Sequence, residues 1–138
     1  MKKQFVIAVV LIVIIAAALF WMVSNDQKPT AYLLKGENMQ IQGSYGVTVP
    51  LNEISGLELI SEMPAIGRKT NGMGLGSHYK GEFTFQDGTK ARLYVDASKP
   101  PFISFLRDDT VYTINAQTPE KTQELYEQLK AAVERLQP

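Results

Sequence analysis

Residues 67–77 of this 138-residue chain, Gly-Arg-Lys-Thr-Asn-Gly-Met-Gly-Leu-Gly-Ser, combine four glycines with two adjacent cations. Glycines leave main-chain amides uncovered, and amides beside Arg68 and Lys69 can cradle an anion. The segment therefore reads as a candidate ligand or partner loop, with Arg68, Lys69, Asn71, Gly72, Gly74, Gly76 and the following His78 as its contact residues. A nucleotide phosphate loop needs GxxxxGK[ST] or GxGxxG between a strand and a helix. Neither pattern is present, and strand-like sequence follows, so no nucleotide cofactor is expected. The competing reading is a long hairpin connection whose glycines supply positive φ angles or a strand bulge.

His78 is the single histidine. One imidazole does not make a zinc site without several carboxylates, and none stands at ligand spacing around it. Ser77 and His78 are adjacent, and adjacent strand residues point to opposite faces, so they are not expected to form a nucleophile–base pair. Asp108-Asp109 lies between strand signals and reads as a turn. Glu120, Glu124 and Glu127 fall on a solvated helix face. Tyr94 and Tyr112 stand on strands where they either form an exposed aromatic patch or pack beneath helix and loops. No combination of nucleophile, base and oxyanion donors emerges, so the chain is read as non-enzymatic, with no catalytic residue, metal or cofactor.

Composition narrows the habitat. There is no cysteine, which excludes disulfides, a thiol nucleophile and cysteine-based metal sites. Fourteen basic residues balance fourteen acidic ones, the pI is near 6.6 and no dense basic run occurs, so nucleic acid is not an expected partner. Residues 5–23 are uncharged and apolar. At ~1.5 Å per residue they span about 28 Å as a helix, close to the ~30 Å of a bilayer core. Trp21 suits the headgroup level at one end.

A cleaved signal peptide fits less well. Its apolar region is shorter, and the small-x-small pattern at Ala16-Ala17-Ala18 falls inside the run rather than after it. Lys2 and Lys3 precede the run while Asp26 and Lys28 cancel after it, so the N-terminus is expected in the cytoplasm and the remainder outside. The expected organisation is a transmembrane helix over residues 1–24, a linker over 25–30 and one domain over 31–138. Setting aside Lys2 and Lys3, 12 basic residues face 14 acidic ones, which supplies no polybasic patch for anionic lipid.

The domain reads mostly as strands. Residues 31–35 form a short apolar run stopped by Gly36-Glu37-Asn38. Met39 and Ile41 alternate with glutamines, and Tyr45, Val47, Val49 and Leu51 recur at period two. Leu57 and Leu59 continue the pattern. Phe83 and Phe85, the Asp87-Gly88 turn, then Ala91, Leu93 and Val95 make a hairpin with aligned apolar sides. Pro100-Pro101 breaks the chain before Ile103 and Phe105, and residues 111–114 close the series. Thr118 is suited to cap a helix, Pro119 to its first position and Glu120 to its dipole. Leu125, Leu129, Ala132, Val133 and Leu136 then mark one helical face, which must bury itself on the strands. The expected fold is mainly β, a bent barrel or sandwich of about seven antiparallel strands capped by one C-terminal α-helix.

Several segments resemble bacterial pleckstrin-homology-like (PH-like) domains. These are Gly43-Ser44-Tyr45-Gly46 with Val49-Pro50-Leu51 and Glu53-Ile54, and residues 68–76 leading into Tyr79-Lys80-Gly81-Glu82-Phe83. Pro101-Phe102-Ile103, Tyr112-Thr113-Ile114-Asn115 and Thr118-Pro119-Glu120 extend the resemblance over residues 31–136. It implies a fold and a bacterial membrane habitat but no activity. Phosphoinositide-binding members carry clustered Lys and Arg in the first hairpin turn. Here that turn, Lys35-Gly36-Glu37-Asn38, has its charge cancelled, so phosphoinositide is not an expected ligand.

These features lead to the expectation of a single-pass membrane protein whose PH-like domain docks a protein partner or envelope ligand. The alternative is a structural or regulatory subunit of a larger membrane complex, contacting partners through its helix, where Ala16, Ala17 and Ala18 permit close approach.

Overall fold

The computed structural model describes residues 2–26 and 30–136, and their side chains except those of 22–26. Half of the expected linker, residues 27–29, lies outside the described residues. Helix α1 covers Lys2–Asp26 and is long and apolar enough to cross a membrane. The side chains of residues 2–21 are all exposed, including Phe5, Phe20 and Trp21.

Strands β1 (Tyr32–Lys35), β2 (Asn38–Ile41) and β3 (Val47–Pro50) form an antiparallel three-stranded sheet. The Gly36-Glu37 turn sets its first register, pairing Lys35 with Asn38. A 3₁₀ turn, Leu51–Glu53, leads to the second sheet. That sheet has six strands: β4 (Ser55–Ile60), β5 (Ile66–Leu75), β6 (His78–Phe85), β7 (Lys90–Asp96), β8 (Phe102–Arg107) and β9 (Thr110–Ile114). Their spatial order is β4-β8-β9-β7-β6-β5. Helix α2, Pro119–Leu136, closes the domain. The fold is thus PH-like, mainly β with one C-terminal helix.

Two expectations need correction. The described residues form nine strands rather than about seven, and these are not all antiparallel, because β7 pairs with β9 in parallel. After β7 the chain passes Pro100-Pro101 and lays β8 one place further out. The Asp108-Asp109 turn then returns β9 into the gap, in the direction of β7. The largest added strand is β5. Its glycines and polar residues show no apolar alternation because it is an edge strand, held by main-chain bonds to β6 and mostly exposed.

Period-two alternation gives the second sheet two different faces. Tyr94, Ile103, Phe105, Tyr112 and Ile114 face inward, where Met39, Val49 and Leu51 from the first sheet's side and Leu125, Leu129, Ala132 and Val133 of α2 complete the main core. Phe83, Phe85, Ala91, Leu93, Val95 and Phe102 form a second cluster, covered by Ile60, Met63 and Ile66 from the β4–β5 region. The Thr118 hydroxyl accepts the Lys121 amide at 3.1 Å, the cap expected of it. The buried Thr122 hydroxyl accepts the Ala116 amide at 2.8 Å and ties the helix to the end of β9.

Candidate functional site

The segment expected to be a loop is a strand with irregularities. Register shifts fall between Ile66 and Arg68 and between Lys69 and Asn71, the bulge that glycine-rich sequence admits. Gly72 then lies opposite Gly81. The backbones approach so closely that a Cβ on Gly81 would meet the Asn71 carbonyl at 2.6 Å, and Gly81 itself sits at φ +108°. The Tyr45 ring lies over this bare patch. Gly76 supplies the positive φ of the turn into β6.

The named candidates do not converge. Arg68, Lys69, Asn71, Gly74 and Gly76 are exposed along the edge strand. Arg68 lines a shallow hollow of about 460 Å³ with Glu82, Lys90, Arg92, Asp109 and Tyr112. In that hollow Lys90 pairs with Asp109 at 3.1 Å and Arg92 with Glu82 at 2.6 Å. Lys69 and Asn71 do not line it. His78 lies elsewhere, in a smaller pocket of about 150 Å³.

That smaller pocket gathers residues which the sequence left scattered: Thr30, His78, Lys80, Asp96, Lys99 and Asn115. The β6–β7 hairpin assembles most of them. Its register pairs Glu82 with Arg92, Lys80 with Tyr94 and His78 with Asp96, all on one face. Counting outward from Asp87-Gly88 as a two-residue turn misses these pairs by one residue, because the turn is wider: Phe85 bonds to Thr89 across residues 86–88, with Gly88 at φ +89°. Asn115 and Lys99 arrive from the end of β9 and the β7–β8 connection.

Asp96 organises the pocket. Its Oδ1 accepts the Ser77 hydroxyl at 2.7 Å, the Ser98 hydroxyl at 2.6 Å and the Ser98 amide at 3.0 Å. Its Oδ2 lies 3.8 Å from His78 Nε2 and 3.9 Å from Lys99 Nζ. Burial would raise the Asp96 pKa, but the bonds from Ser98 and Ser77 and the charge of His78 outweigh it and hold the carboxyl below its usual range. Asn115, only 3 % exposed, accepts the Asp96 amide at 3.0 Å and donates to the carbonyls of Asp96 at 2.9 Å and Lys99 at 3.1 Å. Lys80 is 6 % exposed.

Ser77 and His78 do meet a common partner, contrary to the alternation argument. Ser77 sits in the turn before β6, not in the strand, so its side chain is not bound by the strand's alternation. The order is nonetheless wrong for a catalytic triad. The carboxylate lies between hydroxyl and ring, so the Ser77 proton points at Asp96 rather than at His78.

The tyrosines pack inside. Tyr94 donates to the Tyr45 carbonyl and accepts from Arg92 at 3.2 Å. Tyr112 stacks on Phe105 and accepts from Arg107, which also holds Glu53 at 3.0 Å. Tyr32 donates to the carbonyls of Tyr94 at 3.1 Å and Asn115 at 2.9 Å, fastening β1 to the pocket wall. Burial pushes its phenol far above the ordinary range, with Tyr94 adding to the effect.

A family model described as a bacterial PH domain matches residues 30–133, most of the chain. Searches of curated proteins and of solved structures each find no match.

Proposed function

This chain belongs to the bacterial PH domain family, and we propose that it works as a membrane-anchored, non-enzymatic binding or scaffolding module. In this reading α1 holds the domain at the outer face of a bacterial cytoplasmic membrane, where it docks a protein partner or an envelope ligand. The observation that carries it is adjacency: the family match begins at residue 30, four residues after an apolar helix ends at Asp26. A core helix would bury an apolar stripe, whereas α1 is apolar around its circumference and exposed throughout residues 2–21. Lys2 and Lys3 on one side support a cytoplasmic N-terminus. Four residues reach at most ~14 Å at ~3.6 Å each, which keeps the domain beside the bilayer.

Two reporters fused in turn after Gln137 test this reading. One is active only outside the cytoplasm and the other fluoresces only inside it. Activity outside with a dark interior is expected. Fluorescence inside reverses the orientation and redirects the search to cytoplasmic partners.

A further inference from the structure

Strand β5 ends the second sheet and pairs only with β6 among the described strands, so its other edge offers main-chain amides and carbonyls. At ten residues it is the longest strand, and it is exposed over most of that length. From Asn71 to Leu75 its register with β6 is unbroken. The two bulges precede that stretch and act on direction. Ile66 and its partner Phe85 pack in the second apolar cluster. Two residues on, strand alternation would point Arg68 to the same side. Arg68 instead pairs with Thr84, so the extra residue Gly67 turns the guanidinium to the opposite face, where it lines the hollow of about 460 Å³. The bulge is fitted to glycine, because a Cβ on Gly67 would meet the carbonyls of Thr84 and Phe85 at 3.0 Å. Thr70, the extra residue of the second bulge, lines the same hollow.

The charges of the hollow are paired with one exception. Lys90 holds Asp109 and Arg92 holds Glu82, whereas no ion pair or side-chain hydrogen bond engages Arg68 among the described residues. Three cations against two carboxylates leave one positive charge. Glu82 and Asp109 repel a dianion there, while a single carboxylate balances the excess and matches the guanidinium fork.

We propose that β5 takes an extended segment of a partner protein as an added strand, with an Asp or Glu of that segment on Arg68. Main-chain bonds along residues 71–75 supply the attachment, and the carboxylate at Arg68 fixes register and selects acidic partners. Lys69 pairs with Phe83 on the other face and takes no part. The site rests on β5 and the hollow; a protein as its occupant rests on the docking reading above.

A display library of random decapeptides, selected on the full chain in an uncharged detergent, supplies the probe. Enriched peptides are expected to carry an acidic residue beside alternating β-branched residues, and to slow hydrogen exchange in β5 when they bind. Arg68→Gln is expected to weaken them about tenfold or more, and Lys69→Gln less than about threefold. Both variants remove one charge, so the difference separates a placed guanidinium from general attraction. Replacing the acidic residue of the peptide by its amide is expected to cost the parent the same factor and Arg68→Gln nothing further. Equal losses in the two variants overturn the assignment. Enriched peptides that protect residues away from β5 overturn it too, and leave the docking reading standing. No enrichment overturns the assignment and counts equally against docking of an extended segment anywhere on the domain.

Discussion

Arg68 and Lys69 are neighbours in sequence, whereas Lys80 and Lys99 are far apart, yet the fold brings only the second pair to one pocket. On β5, successive side chains diverge along an exposed edge, and main-chain bonding to β6 accounts for the segment's order. At the β6–β7 end, hairpin register and one asparagine place distant residues around a shared carboxylate. A run of suggestive residue types on a strand distributes its chemistry over two faces. A site instead arises where cross-strand partners, a turn and a connection meet.

The largest effect that would break this contrast is expected at Gly81, which both regions share. Gly81→Ala forces a Cβ against the Asn71 carbonyl and strains a φ of +108°, so a loss on the order of 3 kcal/mol is expected. Gly76→Ala also meets a positive φ, but in open space, and about 1 kcal/mol is expected there. Urea unfolding of the full chain in mild detergent, followed by circular dichroism, compares the two. Equal losses would show that the Gly72–Gly81 contact does not organise the sheet.

A middle-sized effect is expected at Asp96. Its folded pKa lies below the unfolded value of 3.8, so its contribution is present above that value and is lost as pH falls through the folded pKa. Asp96→Asn is expected to cost about 1 kcal/mol at neutral pH, with the gap to the parent closing from about pH 4 downward. Unfolding midpoints between pH 2 and 7 check this. A gap that stays constant would remove Asp96 as the electrostatic centre of the pocket.

The smallest effects sharpen the other side. Arg68→Ala and Lys69→Ala are each expected to change stability by less than ~0.5 kcal/mol, read from urea midpoints of the full chain in mild detergent. A larger loss in Arg68→Ala would show that side-chain contacts, and not only main-chain bonds to β6, hold the edge strand.

Local signals forecast much of the fold. Thr118 and Pro119 start α2 as their chemistry requires, Asp87-Gly88 turns the hairpin, and Asp108-Asp109 makes the β8–β9 turn, with Asp108 at positive φ. These devices act within a few residues and can be read from a few residues. The parallel β7–β9 pair was hidden because its cause, the outward placement of β8, is a tertiary one. Strand β5 was hidden because an edge strand needs no apolar alternation. Of the candidate site, His78 was legible and its partners were not, since Lys80, Asp96, Lys99 and Asn115 share no local pattern. A two-residue count from Asp87-Gly88 pairs His78 with Ala97, and the observed pairing with Asp96 follows from the wider turn over residues 86–88.

Protease treatment of spheroplasts, followed by carbonate washing of the membranes, tests most directly whether the domain is held outside by an intact anchor. Before protease, the full 15.4 kDa chain is expected in the washed membranes, and protease added outside is expected to reach the domain once it is partly unfolded by mild urea. A shorter chain released into the soluble fraction would show that residues 5–23 are a cleaved leader. A domain that yields to protease only after the membrane is opened would place it in the cytoplasm and contradict the orientation.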